Sequence, residues 1–424
     1  MKLGIHLESV LGREPKSDAS QTLRPILRPF VALLVIFASA HAVAHGNAAT
    51  AAKSDRSIDF PDVQGYQTLV VDLHTHSVFS DGHVWPKIRV EEALRDGLDG
   101  LAITEHLEYQ PHRADIIHPD RNRAFEDAST SAAGTDVLII PGSEITRDAP
   151  AGHMNAVFIR DANKLLNDDN APEDNADVMG YYAATKEWPA QSAVDAAHAQ
   201  GAFIFWNHPY WSRQQPDGIA TMNDFHRQNA EAGKLHGIEI ANGQNYSEEA
   251  HAIAIEHNLT FIGVSDIHDL IDWDHPPAEG EHRPVNLVFA RDRSLAGIKE
   301  ALFANRTVVW FRNLLIGKKD ALIPLLKASI SVVSATYREG TQVLDVNIQN
   351  HSDATLKLQN RSKITFMDAA DIISLPPHST TNVTMKPGKR KKRIKIKFNV
   401  LNALTQPKQH PVIQLTIRPS LDAG

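Results

Sequence analysis

Between residues 68 and 310 the chain alternates short apolar runs with amphipathic or turn-rich stretches, and nearly every apolar run ends in imidazole or carboxylate side chains. The runs over 68–73, 98–104, 136–141, 154–159, 202–206, 237–241 and 260–264 are strand-sized, and further strands are expected over 285–289 and 307–310. Helical spacing marks 86–95, where Pro86 suits a first helical turn and Ile88, Val90, Ala93 and Leu94 recur on one face. Helices are also expected over 188–200, 248–257 and 294–305. Strands separated by such helices pair in parallel, which predicts a barrel-like α/β domain. In such barrels the C-terminal ends of the strands form the active face.

The first strand leads into VDLHTHSVFSDGH, residues 71–83. Residues two apart on a strand share a face, so His74 and His76 aim the same way and could hold one divalent ion. Other strand ends supply Asp81, Glu105, His106, Glu144, His208, Asp266 and His268, while His153 stands at the beginning of its run. Of the 22 histidines, 16 fall between His74 and His282, a crowding that favours a metal site over scattered surface histidine. There is no cysteine, which excludes disulfides, thiolate zinc sites and cysteine nucleophiles. Imidazoles with carboxylates alone are the ligand set of zinc, manganese or iron. A net charge of −8 argues against a general nucleic-acid binder.

The ends of the chain read differently. Basic residues precede a short apolar run over 30–38, followed by small residues suited to cleavage. A signal peptide over 1–44 is expected, with an uncleaved anchor as the alternative, then a linker over 45–64. Export to a periplasmic or extracellular location follows, with no stable membrane span after signal removal. The segment over 314–327 reads as a connector. Beyond it, short β-like runs over 330–336, 342–349, 355–359, 380–385, 394–400 and 412–417 predict a small all-β sandwich. The basic run 389–393 reads as a solvated turn and an edge strand guarded by charge, with an anionic-surface patch as the alternative.

The segments HTHSVFSDG (74–82), ITEH (103–106), GSEIT (142–146) with GHMN (152–155), NHP (207–209) and GVSDIHD (263–269) together resemble the motifs of the polymerase-and-histidinol-phosphatase (PHP) superfamily. The stretch TEHLEYQPHR, with a β-rich tail, resembles a branch described as metal-dependent phosphoesterases. The resemblance implies a distorted (β/α)7 TIM-like barrel over 65–315, ahead of the β-sandwich over 329–420. It also implies two or three divalent ions (zinc, manganese or iron) as cofactors. His74, His76 and Asp266 would hold the first, with Glu144 bridging to a second on His153 and His208. Asp81, His106 and His268 would hold a third, and His83 competes with Asp81 for that place. The implied chemistry is hydrolysis of small phosphate mono- or diesters by a metal-activated water, with Glu144, Asp266 and His268 at its centre. Glu105 departs from the motif, which more often carries aspartate.

A phosphorylated substrate also wants side-chain cations. Tyr109, His112 and Arg113 are the expected substrate contacts, with Arg121, Arg123 and Arg147 on neighbouring loops. Trp206, Tyr210 and Trp211 are candidates for a pocket wall or for the core, and Trp273 and His275 for a covering loop. Two other readings compete. One is hydrolysis of carboxyl or carbamate esters at the same site. The other is an envelope- or glycan-binding protein with a non-catalytic barrel. The sequence does not indicate an oligomeric state.

Overall fold

A computed structural model of the chain describes residues 56–420. The leader expected over 1–44 and the start of the linker lie outside the described residues. The end of that expected linker is instead packed. Ile58, Phe60 and Val63 are buried in the core, and Ile58 N–H donates to the Asp96 carbonyl at 2.9 Å. Three apolar side chains in six residues carry enough hydrophobic surface to dock.

Eleven consecutive strands build one curled mixed sheet: β1 (Gln67–Asp72), β2 (Gly100–Ile103), β3 (Leu138–Thr146), β4 (His153–Val157), β5 (Phe203–Trp206), β6 (Gly237–Asn242), β7 (Asn245–Tyr246), β8 (Thr260–Val264), β9 (Val285–Ala290), β10 (Thr307–Phe311) and β11 (Leu314–Gly317). Their order is β11-β10-β9-β1-β2-β3-β4-β5-β6, with β7 and β8 both beside β6. Helices α1 (Pro86–Asp96), α2 (Arg123–Ser131), α3 (Val178–Lys186), α4 (Ala190–Ala199), α5 (Asp224–Glu231), α6 (Glu248–Glu256), α7 (Ile271–Asp274) and α8 (Leu295–Phe303) lie in the connections. Local chemistry sets their ends. Pro86 opens α1 and Gly97 closes it in the left-handed region, while the Ser247 and Ser294 hydroxyls accept from the N–H of Ala250 and Gly297 to start α6 and α8. Among the described residues no helix is long and apolar enough to cross a membrane.

The pairing is parallel for β1–β2, β2–β3, β5–β6 and β6–β8. It is not parallel throughout. β4 is antiparallel to both β3 and β5, because the loop between β3 and β4 is too short for a crossover helix and forces a hairpin. The reversal brings the beginning of β4 to the face where its neighbours end, which accounts for the position of His153. β9 is antiparallel to β1 and β10.

The curl is fastened where β8 meets β1. Thr75 bridges Ile267, and Asp266 N–H donates to the His74 carbonyl at 3.0 Å. Ser265 Oγ donates to Asp72 at 2.6 Å. Deeper in, the buried Asn286 amide accepts from Gly263 N–H (3.1 Å) and donates to the Gly263 carbonyl (2.8 Å). This side chain satisfies backbone groups that a neighbouring strand would otherwise satisfy.

The expected connector over 314–327 is in fact β11 and a helix, α9 (Lys319–Ala328). Two four-stranded sheets follow. One contains β12 (Ile330–Tyr337), β13 (Leu344–Asn350), β17 (Thr380–Lys386) and β15 (Thr365–Phe366); the other β16 (Ile372–Leu375), β14 (Leu356–Asn360), β18 (Ile394–Val400) and β20 (Val412–Ile417). In β18, Ile394, Ile396, Phe398 and Val400 are buried while Lys395 and Lys397 face solvent, as half-buried strands require. Residues 389–393 are an exposed bend before β18, but β18 is no edge strand: it pairs with β14 on one side and β20 on the other. Strands β15 and β16 have no counterpart in the sequence reading. The short strand β19 (Ala403–Leu404) leaves the sandwich and pairs in parallel with β11, becoming the twelfth strand of the large sheet. Asn313 reinforces this junction by exchanging two hydrogen bonds with Thr355, both 2.9 Å. One hydrophobic cluster runs without a break from Val70 and Leu101 to Leu356 and Phe398.

Candidate metal centre

Glu144 stands in the middle of a buried cluster. It lies inside β3, which continues to Thr146 instead of ending at 141. Its Oε2 is 2.7 Å from His106 Nδ1, 3.4 Å from His76 Nε2 and 3.5 Å from His74 Nε2. Its Oε1 is 2.9 Å from His153 Nδ1 and 3.5 Å from His208 Nε2. Asp266 Oδ1 is 3.0 Å from His74 Nε2 and 3.2 Å from His76 Nε2, and those two nitrogens are 2.9 Å apart. The Asp81 carboxylate faces His268 Nε2 (3.2 Å), His106 Nε2 (3.4 Å) and His76 Nδ1 (3.7 Å). All nine expected ligands thus meet in one continuous group. His83 does not join it: its exposed ring pairs with Asp269 at 2.7 Å.

The electrostatics are those of acceptors crowded together. Burial alone would raise Glu144, yet His106, His153 and His74 hold its carboxyl well below the ordinary range. Asp266 and Asp81 are likewise held low by neighbouring imidazoles, against the upward push of burial. Burial, then the nearby His268 and His106, push His76 down to about 3. Burial opposes charge on His74 and His106, but the surrounding carboxylates win and raise both. Asp81 Oδ1, Glu144 Oε2 and His208 Nδ1 are buried without a well-formed hydrogen bond. Lone pairs facing one another at such distances repel unless cations lie between them.

The residues therefore fit divalent metals. Three overlapping groups have ligand atoms close enough to share an ion: His74 and His76 with Glu144; His106 and Glu144 with His153; and His76, Asp81 and His106 with His268.

A second layer fixes these side chains, and parts of it are invisible in the motifs. Glu239, fully buried in β6, places Oε1 2.7 Å from His74 Nδ1, and Oε2 accepts from His208 N–H at 2.6 Å. Asn207 Nδ2 donates to Glu144 at 2.8 Å. Glu105 accepts from Ser77 N–H (3.0 Å), Ser77 Oγ (2.5 Å) and Ser80 Oγ, holding the turn that carries Asp81. Glutamate therefore serves in the motif position where aspartate is commoner. Arg89 of α1, fully buried, donates to the carbonyls of His76 (2.8 Å) and His268 (2.7 Å), and pairs with Glu92. Gly82 is obligatory: a Cβ there would lie 2.7 Å from the His76 carbonyl carbon. Asp266 (φ 52°) and His208 (φ 26°) adopt left-handed backbone, a strain that collects at functional sites.

Two cavities, of about 510 and 560 Å³, open on the cluster and share Asp81, His106, His153 and Trp211. Tyr109 lines the second; His112 and Arg113 line neither. The guanidinium of Arg113 instead lies over the Tyr181 ring at 3.9 Å, and Arg121 donates to the Tyr181 hydroxyl at 2.5 Å. Arg123 lies over Phe79 at 4.9 Å, and Arg147 pairs with buried Glu108. Tyr210 and Trp211 do wall the first cavity. Trp206 belongs to the core, stacked on His226 at 3.8 Å. Trp273 is exposed and His275 buried, and neither lines these cavities.

A family model described as an Ig-like domain matches residues 330–416. The crystal structure of a two-domain protein from Bacteroides vulgatus, described as containing a predicted PHP-like metal-dependent phosphoesterase, is 38% identical. The match covers 86% of this chain and 100% of that one, with a TM-score of 0.76. A candidate metal-dependent phosphoesterase from Bifidobacterium adolescentis is 19% identical, over 47% of this chain and 87% of its own, with a TM-score of 0.34. An amidohydrolase from Chromobacterium violaceum is 17% identical over the same shares, with a TM-score of 0.33. Neither of these last two likenesses is close enough to support an assignment. None of the curated proteins compared with the chain matches it.

Proposed function

Because the chain belongs to the family of two-domain proteins with a PHP-like metal-dependent phosphoesterase, and is thus a metal-dependent hydrolase, we propose that it hydrolyses small phosphate mono- or diesters at the Glu144 cluster. The observation that carries this reading is the convergence of His74, His76, His106, His153 and His208 on the single carboxylate of Glu144.

In the proposed assignment His74, His76 and Asp266 would hold one ion, His153 and His208 a second with Glu144 serving both, and Asp81, His106 and His268 a third. The ion would be zinc, manganese or iron. When bound, such ions acidify coordinated water and withdraw charge from a phosphoryl oxygen. The chain's own residues then have separate tasks. Glu239 and Asn207 orient the ligands on their strands. Asp81 and His268 stand at the open side of the cluster, on the wall of the first cavity, where an incoming ester first meets the protein. Burial of Glu144 and His76 keeps water from competing for their ligand atoms.

The proposed domain plan keeps the leader over 1–44, the barrel over 65–315 and the sandwich over 329–420, and export is proposed on the apolar run at 30–38. The decisive experiment is hydrolysis of p-nitrophenyl phosphate and bis(p-nitrophenyl) phosphate by metal-loaded protein, with and without chelator. Turnover abolished by chelator is expected. Turnover of carboxyl esters with no phosphoester cleaved would overturn the proposal.

A further inference from the structure

The metal-ligand cluster lies on the wall common to two cavities, not at the bottom of one pouch. A phosphomonoester has a single organic arm and would fill one side. A phosphodiester has two arms, one for each side.

The two sides differ in chemistry. The first presents hydroxyls and amides from Tyr210, Ser212, Asn242 and Asn245. The second adds aromatic rings to charged side chains: Tyr109 and Tyr182 stand with ring centroids 5.5 Å apart and planes at 66°, on the same cavity wall as Trp211, Arg147 and Arg213. Ring edges and faces at such angles accept a further planar ring in offset or edge-to-face contact. Trp211 also touches the cluster itself, with its ring 5.3 Å from those of His153 and His208.

Charge points the same way. A monoester dianion calls for side-chain cations beside the phosphorus. Of the arginines on the nearby loops, Arg113 and Arg121 are engaged with Tyr181 and Arg123 with Phe79, while Arg147 lines the second cavity with its charge paired to buried Glu108. Arg213 also lines the second cavity, with its guanidinium over Trp211 at 5.4 Å, and Lys186 Nζ lies 4.1 Å from the Tyr182 ring centroid, though no lysine lines either cavity among the described residues. A diester carries one negative charge and makes the smaller demand.

We infer that the substrate is a phosphodiester with a planar unsaturated ring on one ester arm, seated among Tyr109, Tyr182 and Trp211. The inference rests on the phosphoesterase reading above. Water adds to phosphorus as one P–O ester bond breaks. The departing oxygen takes up a proton from that water, leaving an alcohol or phenol and a phosphate monoester.

The test uses the metal-loaded full chain in two readouts. Calorimetric titration compares diphenyl phosphate, dimethyl phosphate and phenyl phosphate. Kinetics compare bis(p-nitrophenyl), methyl p-nitrophenyl and p-nitrophenyl phosphates. Diphenyl phosphate is expected to bind about tenfold more tightly than either of the others, the scale of one good aromatic contact. Tyr182→Ala should remove most of that preference and Tyr182→Phe should keep it, with thermal melting checking that both variants fold. Tighter binding and faster turnover of the monoester, or a preference untouched by Tyr182→Ala, would overturn the inference while the phosphoesterase reading stands. Failure to cleave any phosphoester, with carboxyl esters turned over, would overturn both.

Discussion

One carboxylate, Glu239, holds two candidate ligands on different strands: it sits 2.7 Å from His74 Nδ1 and accepts from the His208 N–H at 2.6 Å. The contact with Nδ1 leaves His74 Nε2 free to face the cluster and raises the basicity of the ring. Glu239→Gln keeps the shape and removes the charge. Metal affinity is expected to fall by about 10–100-fold. Competition with a fluorescent chelator measures it, and wild-type affinity in the variant would reduce Glu239 to a packing role.

Asp81 and His83 flank Gly82 but face different ways. Asp81 looks into the cluster, and His83 pairs with Asp269 in solvent. Elemental analysis of Asp81→Asn is expected to show less metal per chain than wild type, and His83→Ala the wild-type content. The reverse result would exchange their roles.

Arg89 ties α1 to the two segments that carry His76 and His268. Arg89→Met would strand Glu92 in a buried site and orphan those carbonyls. Breaking a buried pair in this manner costs about 3–5 kcal/mol. Urea denaturation of the two proteins is the measurement, and a loss under about 1 kcal/mol would mean that water replaces the guanidinium without penalty.

Acid should weaken the fold through His226, which lies outside the cluster. Burial pushes its imidazole down to about 3. An unfolded chain takes up that proton near pH 6.5, so the unfolded state binds more protons throughout the interval below. The contribution to stability is complete above about pH 6.5 and declines as the pH falls toward 3. By pH 5 the loss amounts to about 2 kcal/mol. His226→Phe preserves a ring against Trp206, and urea midpoints at pH 5 and pH 7.5 should differ less in the variant than in the wild type. An unchanged difference would point to other groups.

The residues legible in the sequence were those whose local spacing already fixes their direction. His74 and His76 are two apart on a strand, so one strand suffices to aim both. Glu144, His208 and Asp266 follow apolar runs and fall at the active face by topology alone. His153 was the exception, and only the antiparallel placement of β4 explains it. Glu239 was hidden because a lone glutamate between Ile238 and Ile240 reads as an outward polar position, whereas it faces the barrel interior. Arg89 and the arginines of the loop after β2 show the limits of sequence position. The first carries no signal in the helix pattern and is buried, while Arg113 is expected at the substrate and lies on Tyr181. Long side chains reach too far for sequence position to reveal their partners. Strand β19 is invisible in the sequence because a two-residue pairing with a partner so distant in the chain leaves no periodic trace.

That pairing also protects a sheet edge. The edge strand β11 ends at Gly317, but its partner, Ala403–Leu404, lies roughly ninety residues further along the chain. Until that partner folds against it, the β11 edge stays uncovered. An edge left open in this way can template pairing with another chain. In the folded chain the Ig-like module covers that edge of the large sheet through Ala403–Leu404.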